Sequence, residues 1–276
     1  NGIGNITSEQ PERVTGGYDI KGTISPDLPI SGDIRDSLNI SDFEVVAGAS
    51  NVPVEVKESD GENSTYKRAN LVSLEDDFFQ STQWRMSHLD PKYGATDEDI
   101  WRSLIGNPEL AVASASIIPS GEPFGPPDGS FKTSYLEPGD LREMDSFSVE
   151  MKKRRSSSEP ENLIIIGVVE LLATGNGWEG ISATFYSARS LVPKIADEEV
   201  PLDTFYFSLK DKNIASNYSQ KLESIFLANG MNAESLLDNL EEERATSNAF
   251  NKLFQGFSGL GLVVGVAAIG VLSVRA

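Results

Sequence analysis

Few side chains in this sequence are of types that carry out chemistry. Its 276 residues include no cysteine and one histidine, His88. Disulfides, thiolate metal sites and cysteine nucleophiles are therefore excluded, and a single histidine cannot form a histidine-rich metal site. No segment has the spacing of a serine-hydrolase elbow, a zinc-protease helix or a phosphate-binding loop. We expect no catalytic residue, metal or cofactor in this chain, and hence no enzyme activity.

Acidic side chains occur in two clusters, Asp76-Asp77 and Asp97–Asp99. No EF-hand pattern surrounds either cluster, whereas carboxylates are favourable in the first turn of a helix. We interpret both clusters as helix N-termini rather than as metal ligands. Thr96 with Asp99 three residues later resembles a capping box, which predicts a helix over Asp97–Ile105.

Four sequons for N-glycosylation begin at Asn5, Asn39, Asn63 and Asn217. They are acceptors only in a compartment that contains the glycosylation machinery, and chance occurrence is the alternative explanation. Asn63 is the best candidate because it lies in the polar segment Ser59–Ser64, which predicts an exposed loop.

The chain is strongly acidic, with 42 acidic and 23 basic residues and a net charge of −19. Because nucleic-acid binding requires a basic face, this balance argues against a nucleic-acid partner. The basic run Lys152–Arg155 stands out in this context. We favour a solvated hairpin tip for it, and contact with a lipid headgroup or an acidic partner is the alternative.

The C-terminal segment has the clearest pattern in the sequence, since no charged residue occurs between Leu253 and Val274. As a helix this run would extend about 33 Å, enough for a hydrocarbon core of about 30 Å. We predict a transmembrane helix over residues 253–275, with a buried core helix as the alternative. Gly261 and Gly265 form a GxxxG pair, which predicts close packing against another helix.

An amphipathic stretch over Asn232–Asn251 precedes this segment, and we predict a stalk helix over residues 236–252 that continues into the membrane. No proline occurs after Ala233 to force a kink. Upstream, Thr204–Leu209 predicts a strand and Asn213–Ala228 a helix, which Asn229-Gly230 would cap.

The rest of the chain predicts mainly strands. The pattern of apolar residues and the turn residues indicate a strand at Tyr18–Thr23 and a short helix at Ile30–Leu38. They also indicate two strands, Asp42–Ala47 and Val52–Lys57, around a turn at Ser50-Asn51. Further predicted strands are Asn70–Leu74, Leu110–Ile118, Ser146–Lys153, Leu163–Leu172 and Ile181–Ser187, of which the last three would be joined by hairpins. We therefore predict an α+β fold with mainly antiparallel sheets and a few helices, ending in the stalk and the transmembrane helix.

The predicted elements suggest a division into domains. Residues 1–235 would form an extracytoplasmic domain, followed by the stalk and the membrane helix. Within it, residues 14–40 and 200–235 would form a membrane-proximal subdomain and residues 41–199 an outer lobe, with the Tyr18 strand pairing with the Thr204 unit.

Two segments resemble a known family. Residues 256–276, GFSGLGLVVGVAAIGVLSVRA, preceded by NAFNKLFQ, resemble the start of the second membrane helix of FtsX/MacB-type ABC transporter permeases. Residues 14–23, VTGGYDIKGT, followed by Pro29-Ile30, resemble the start of a strand in the long-permease branch of that family. The segments between them carry no motif of the family.

This resemblance implies a permease subunit that couples cytoplasmic ATP hydrolysis to export or mechanotransmission outside the membrane. It implies a separate cytoplasmic ABC ATPase subunit, a permease dimer, and an exterior protein or lipid substrate. Arg275 follows the apolar run, and positive-inside bias places that end in the cytoplasm. We therefore expect a cell-membrane protein with the bulk of this chain extracytoplasmic, cut from a longer sequence.

Two other function classes compete with the permease. A single-pass, membrane-anchored binding or adhesion ectodomain would show the same composition and the same apolar segment. An exterior hydrolase would need a catalytic constellation, and none is recognisable here.

Overall fold

The computed structural model describes residues 14–59, 65–119, 129–156, 159–170, 182–196, 198–242, 244–246, 248–249, 252 and 255. The strands are Ile20–Thr23 (β1), Phe43–Glu58 (β2), Lys67–Leu74 (β3), Met86–Leu89 (β4), Leu110–Ser114 (β5), Phe147–Lys153 (β6), Glu161–Val169 (β7), Thr184–Ala188 (β8), Thr204–Leu209 (β9) and Asn232–Ser235 (β10). The α-helices are Asp76–Ser81 (α1), Asp97–Ser103 (α2), Val192–Ala196 (α3) and Ala215–Ile225 (α4).

Six strands form a closed ring of hydrogen-bonded neighbours. The order is β2–β3–β8–β5–β7–β6, and β6 pairs back onto β2. All six strands contribute to one buried hydrophobic cluster, which includes Val54, Leu71, Ala113, Val149 and Phe185. This cluster fills the interior of the ring, because side chains on one face of every strand point to it.

The outer face of the ring is also buried along part of its surface. Leu71 belongs to the interior cluster, whereas its neighbour Val72 belongs to a second cluster with α1 and α2. Ile165 and Ile166 divide between the two clusters in the same way. Because both faces of these strands are buried, their sequences are continuous runs of apolar residues rather than alternating apolar and polar residues.

Three further strands extend the sheet from β2 in the order β9–β1–β10. Helix α4 packs on them through a third cluster that contains Ile20, Phe207 and Leu222. The predicted pairing of the Tyr18 strand with the Thr204 unit is confirmed, because β1 and β9 are antiparallel neighbours. The predicted C-cap is also present, since Gly230 adopts a left-handed φ of 64° after the helix.

Both acidic clusters lie at helix N-termini, as predicted. Asp76 and Asp77 are in the first turn of α1. Thr96 and Asp99 form a complete capping box at α2, each side chain bonding the other residue's backbone N–H at 3.1–3.2 Å. The predicted helix over Ile30–Leu38 is present only as a 3-10 turn at Ile34–Ser37.

The predicted turn at Ser50-Asn51 is wrong, because β2 continues through it without interruption. Ser50 is fully buried, and its hydroxyl donates to the Val200 and Pro201 carbonyls at 3.2 and 2.9 Å. Asn51 donates from its amide to the Asp203 carboxylate at 2.7 Å. Both polar side chains thus satisfy their hydrogen bonds across the sheet, so that the backbone stays extended.

Two other predictions also need correction. The predicted hairpin between β7 and β8 is wrong because β5 lies between these strands. The first residues of the predicted amphipathic stalk, Asn232–Ser235, form strand β10, since they pair with β1. Residues 236–242 are helical and begin directly after this strand.

The fold is α+β with mainly antiparallel pairing, because only two of the ten strand pairs between the described strands, β3–β8 and β5–β7, are parallel. The chain divides into two compact units, Asn1–Leu236 and Leu237–Ala276. Among the described residues, no helix has both the length and the apolar character needed to span a bilayer. Apart from residue 255, the predicted span 253–275 lies outside the described residues.

Candidate functional site

A cleft of about 370 Å³ lies on the sheet of the first unit. Strands β1, β9, β2, β3, β8, β5 and β7 each contribute at least one side chain to its lining. The volume is within the range of sites that bind small molecules. We call this feature the sheet cleft, and it is the candidate site that the geometry offers.

The strand register explains which side chains reach the sheet cleft. Asn51 lies opposite Val72, and Val72 lies opposite Tyr186 on the next strand. Two residues along β3 from Val72, Asn70 lies opposite Thr184. Side chains two residues apart share a face of a sheet, so that these five residues form adjacent rows on one surface.

Aromatic side chains make up the apolar part of the lining. The Trp84 ring lies 5.7 Å from the Tyr186 ring and 6.1 Å from the Tyr206 ring, measured between centroids. Trp84 is held from behind by Trp101, whose indole nitrogen donates to the Trp84 carbonyl at 2.9 Å. The spacing and the tilted or edge-on arrangement of these rings are the preferred ones for aromatic pairs.

Polar groups make up another part of the lining, centred on Asp203. Its carboxylate accepts hydrogen bonds from the Asn51 backbone N–H at 3.2 Å, the Asn51 amide at 2.7 Å and the Thr204 hydroxyl at 2.9 Å. All of these donors are neutral. Asp203 therefore brings an acidic group to the sheet cleft that neutral donors hold in place.

Val14 and Thr15, which lead into strand β1, belong to the lining of the sheet cleft, and we call this segment the entering chain. Gly16 and Gly17 follow with φ values of 70° and 85°, which favour glycine. A Cβ at Gly16 would lie 2.6 Å from the Trp84 indole nitrogen. The Gly16 carbonyl accepts from the Gln83 backbone N–H at 2.9 Å. The entering chain is thus packed directly against the aromatic wall.

The end of the last strand, β10, lies next to the start of the first strand, β1. Ile20 in β1 lies opposite Ser235 in β10, and the Leu236 N–H donates to the Asp19 carbonyl at 2.9 Å. Leu236 also lines the sheet cleft. The Asp19 carboxylate accepts from the Leu209 N–H at 2.7 Å, and burial raises the pKa of Asp19 above its ordinary value. These bonds fix entry and exit to the same end of the sheet.

The residues singled out for helix packing and modification, Gly261, Gly265 and Asn63, lie outside the described residues. His88 is buried on β4, its Nδ1 lies 3.0 Å from the Ser87 hydroxyl, and burial lowers its pKa. Within the described ranges, no group of three or more His, Asp or Glu side chains is placed to hold a metal ion.

The predicted hairpin tip is present for only part of the basic run: Arg154 and Arg155 form an exposed turn, whereas Lys152 and Lys153 are the last residues of β6 and pair with β2. Lys152 Nζ lies 4.2 Å from the centre of the Tyr66 ring, and Lys153 Nζ lies 2.6 Å from the Glu198 carboxylate. Arg155 takes a left-handed φ of 62° in the turn itself. Two of the four cations thus have partners within the domain.

Sequence reasoning missed the sheet cleft. Its lining comes from segments between Val14 and Leu236, and no local spacing joins them. Trp84 carries the one local signal that was available, because a tryptophan in an otherwise polar loop between α1 and β4 has to pack against something. That signal indicates burial and gives no partner.

No protein-family model matches this chain, and no curated protein matches it. Several solved structures match this chain. The periplasmic region of MacB from Actinobacillus actinomycetemcomitans matches with a TM-score of 0.45 and 12% sequence identity, over 88% of this chain and 98% of that one. The extracellular domain of the noncanonic ABC-type transporter YknZ from Gram-positive bacteria matches with a TM-score of 0.42 and 11% identity, over 79% and 99%.

A domain of a putative permease protein from Porphyromonas gingivalis matches with a TM-score of 0.40 and 11% identity, over 81% of this chain and 89% of that one. The chain is thus similar to a periplasmic region of MacB, an extracellular domain of an ABC-type transporter and a domain of a putative permease protein.

Proposed function

We propose that this chain is the extracytoplasmic domain of an ABC transporter permease subunit. In this role it couples ATP hydrolysis by a cytoplasmic ABC ATPase to export or mechanotransmission outside the membrane, within a permease dimer. The sequence of residues 253–276 supports the proposal, because it has the length and composition of a membrane helix and resembles the family.

The observation that carries the proposal is the pairing of the two connections of the domain. Ile20 and Ser235 are opposite each other, so that the chain enters and leaves at one end of the sheet. A domain inserted between two membrane helices needs this arrangement, since both connections must return to the same surface. A domain with a single anchor has no such need.

The same arrangement offers a path for displacement. Strand β10 is followed by helix without an intervening loop. Strands β10 and β1 pair with each other, β1 pairs with β9, and β9 pairs with Phe43–Ala49 of β2. The remainder of β2 belongs to the six-stranded ring. A displacement at the connections would therefore be passed through continuous hydrogen-bonded strands to the ring.

The test uses the full-length permease assembled with its ATPase in lipid vesicles. Inserting Gly-Gly-Ser beside Glu243 adds a flexible linker between domain and membrane. We expect the ATPase rate to persist while transport, or activation of an exterior enzyme, falls to background. Gly261→Leu should have the same effect through lost helix packing.

The matched control inserts Gly-Gly-Ser after Pro138, in an exposed turn of the segment that pairs with β4 through Glu143. This variant should retain both activities. Full exterior activity in the Glu243 insertion and in Gly261→Leu would contradict the coupling. A full-length protein that assembles with no ATPase would instead favour the membrane-anchored binding or adhesion ectodomain.

A further inference from the structure

We propose that the sheet cleft binds an organic cation with a flat, apolar body. The proposed function does not use this cleft, and its volume of about 370 Å³ is sufficient for a small organic molecule. The chemistry of the ligand follows from two features of the lining, namely its aromatic side chains and its acidic group.

The aromatic side chains favour a flat ligand. Trp84, Tyr186 and Tyr206 line the cleft and hold one another at centroid distances of 5.7 and 6.1 Å. Because this wall is pre-formed, a planar ring system gains contact with it at little ordering cost. Tyr186 is the partly exposed ring of the three, since Trp84 and Tyr206 are only 5% and 8% exposed, and the face of a phenol ring attracts a positive charge.

The charges of the lining favour a cation over an anion. Asp203 lies in the cleft, and in the part of the chain that the structure describes its hydrogen-bond partners are neutral groups of Asn51 and Thr204. Lys21 also lines the cleft, but it lies directly opposite Glu234 in the β1–β10 pair. The net charge of −19 adds a field that attracts cations.

A ligand at this position would contact the connections of the domain. Thr15 of the entering chain and Leu236 of the leaving chain both line the cleft, and Trp84 touches Gly16. If the proposed function holds, occupancy would act on the segments that link the domain to the membrane. Binding itself does not depend on that function.

The experiment measures binding of proflavine, a planar aromatic cation, to the 276-residue chain in a non-ionic detergent by fluorescence anisotropy. Fluorescein, whose xanthene ring system is also flat, serves as the anionic counterpart. We expect proflavine to bind at least about tenfold more tightly than fluorescein, which corresponds to about 1.4 kcal/mol. No binding of proflavine, or equal binding of the two dyes, overturns the proposal.

Two variants locate the binding site. Asn70 is exposed at the edge of the cleft, so that Asn70→Arg should fill the space, add a repelling positive charge and weaken proflavine binding about tenfold. Lys67→Arg is the matched control, because Lys67 is exposed on the same strand and is not part of the lining. Equal binding by the two arginine variants would overturn the location, and thermal unfolding of both checks that they fold.

A third variant tests the charge. Asp203→Asn removes the acidic group while keeping the shape of the side chain, and we expect proflavine binding to weaken about fivefold with fluorescein binding unchanged. An unchanged affinity for proflavine would contradict the cation selectivity. All these measurements use the chain without an ATPase, so that their failure leaves the proposed coupling untouched, and failure of the coupling leaves the binding site untouched.

Discussion

Ile20 and Ser235 lie directly opposite each other in the antiparallel pair β1–β10, at the two ends of the domain sequence. The adjacent bond from the Leu236 N–H to the Asp19 carbonyl, at 2.9 Å, extends this pairing to the exit. The segment from Asp19 to Leu236 therefore begins and ends at residues that are hydrogen-bonded to each other. The proposed coupling depends on this pairing.

The pairing of the connections predicts a specific cross-link. Lys21 and Glu234 are direct neighbours across β1 and β10, and the chain has no native cysteine. Because opposite residues have Cβ atoms about 5 Å apart, Lys21→Cys with Glu234→Cys should react completely with a short bifunctional thiol reagent. Leu141 lies in the loop that adds to β4, at the far end of the strand order, so Lys21→Cys with Leu141→Cys should not react within one molecule. Mass spectrometry distinguishes these results, and a missing Lys21–Glu234 cross-link would refute the pairing.

The Gly16 turn should be sensitive to a single added methyl group. Gly16 and Gly32 have similar positive φ values, 70° and 85°, but a Cβ would lie 2.6 Å from Trp84 Nε1 at Gly16 and in open space at Gly32. Gly32→Ala should lower the free energy of unfolding by about 1–2 kcal/mol through backbone strain. Gly16→Ala adds the collision and should lower it by about 2–4 kcal/mol. Urea unfolding measures both, and equal losses would show that the Trp84 contact is absent.

Two buried carboxylates should respond to pH in opposite directions. Burial raises the pKa of Asp19, so that the folded chain binds this proton more tightly than the unfolded chain. Asp19 therefore contributes stability that increases as the pH falls from about 7 toward the ordinary aspartate value. In urea unfolding, the wild type should gain stability relative to Asp19→Asn over that interval. A difference that is independent of pH would contradict the burial of this carboxylate.

Asp90 provides the comparison. Burial tends to raise its pKa, but the Lys92 and Ser146 backbone N–H groups, each 2.9 Å from the carboxylate, hold the pKa below its ordinary value. Its contribution is complete above the ordinary aspartate value and is lost as the pH falls through the folded pKa. Asp90→Asn should therefore be destabilising at about pH 7, with the difference shrinking at about pH 3. A difference that grows on acidification would contradict this assignment.

The interior of the six-stranded ring should dominate stability. Phe185 is fully buried there, 5.7 Å from the Phe131 ring, whereas Leu141 is 83% exposed. Phe185→Ala should lower the free energy of unfolding by about 3–5 kcal/mol. Leu141→Ala should change it by less than about 0.5 kcal/mol. Similar losses in the two variants, by calorimetry or urea unfolding, would contradict the ring as the main core.

The sequence predicted most elements because their signals are local. The capping box at Thr96 and Asp99, the strand Thr204–Leu209 and the glycine cap at Gly230 each depend on residues a few positions apart. The predicted β6–β7 hairpin is present for the same reason, since its two antiparallel strands are near each other in sequence.

The ring and the sheet cleft could not be predicted, because they depend on partners distant in sequence. From the local sequence, Ser50 resembles a turn residue. In the structure its hydroxyl donates to the carbonyl groups of Val200 and Pro201, which lie about 150 residues away in the sequence. Strand β5 lies between β7 and β8 in the sheet, but the short separation of β7 and β8 in the sequence is typical of a hairpin and gives no indication of β5. The order of the strands depends on how much apolar surface all of them together bury on both faces of the sheet. The sequence of a single strand does not contain this information.

The most direct test of the proposed function asks on which side of the membrane the domain lies. Leu141→Cys and Ala276→Cys are single cysteines in a chain that has none, one strongly exposed on the domain and one after the apolar segment. Intact cells that express the full-length protein are treated with a membrane-impermeant maleimide. The proposal predicts that Leu141→Cys is labelled in intact cells and that Ala276→Cys is labelled only after permeabilisation. Labelling of Leu141→Cys only after permeabilisation would contradict an extracytoplasmic domain.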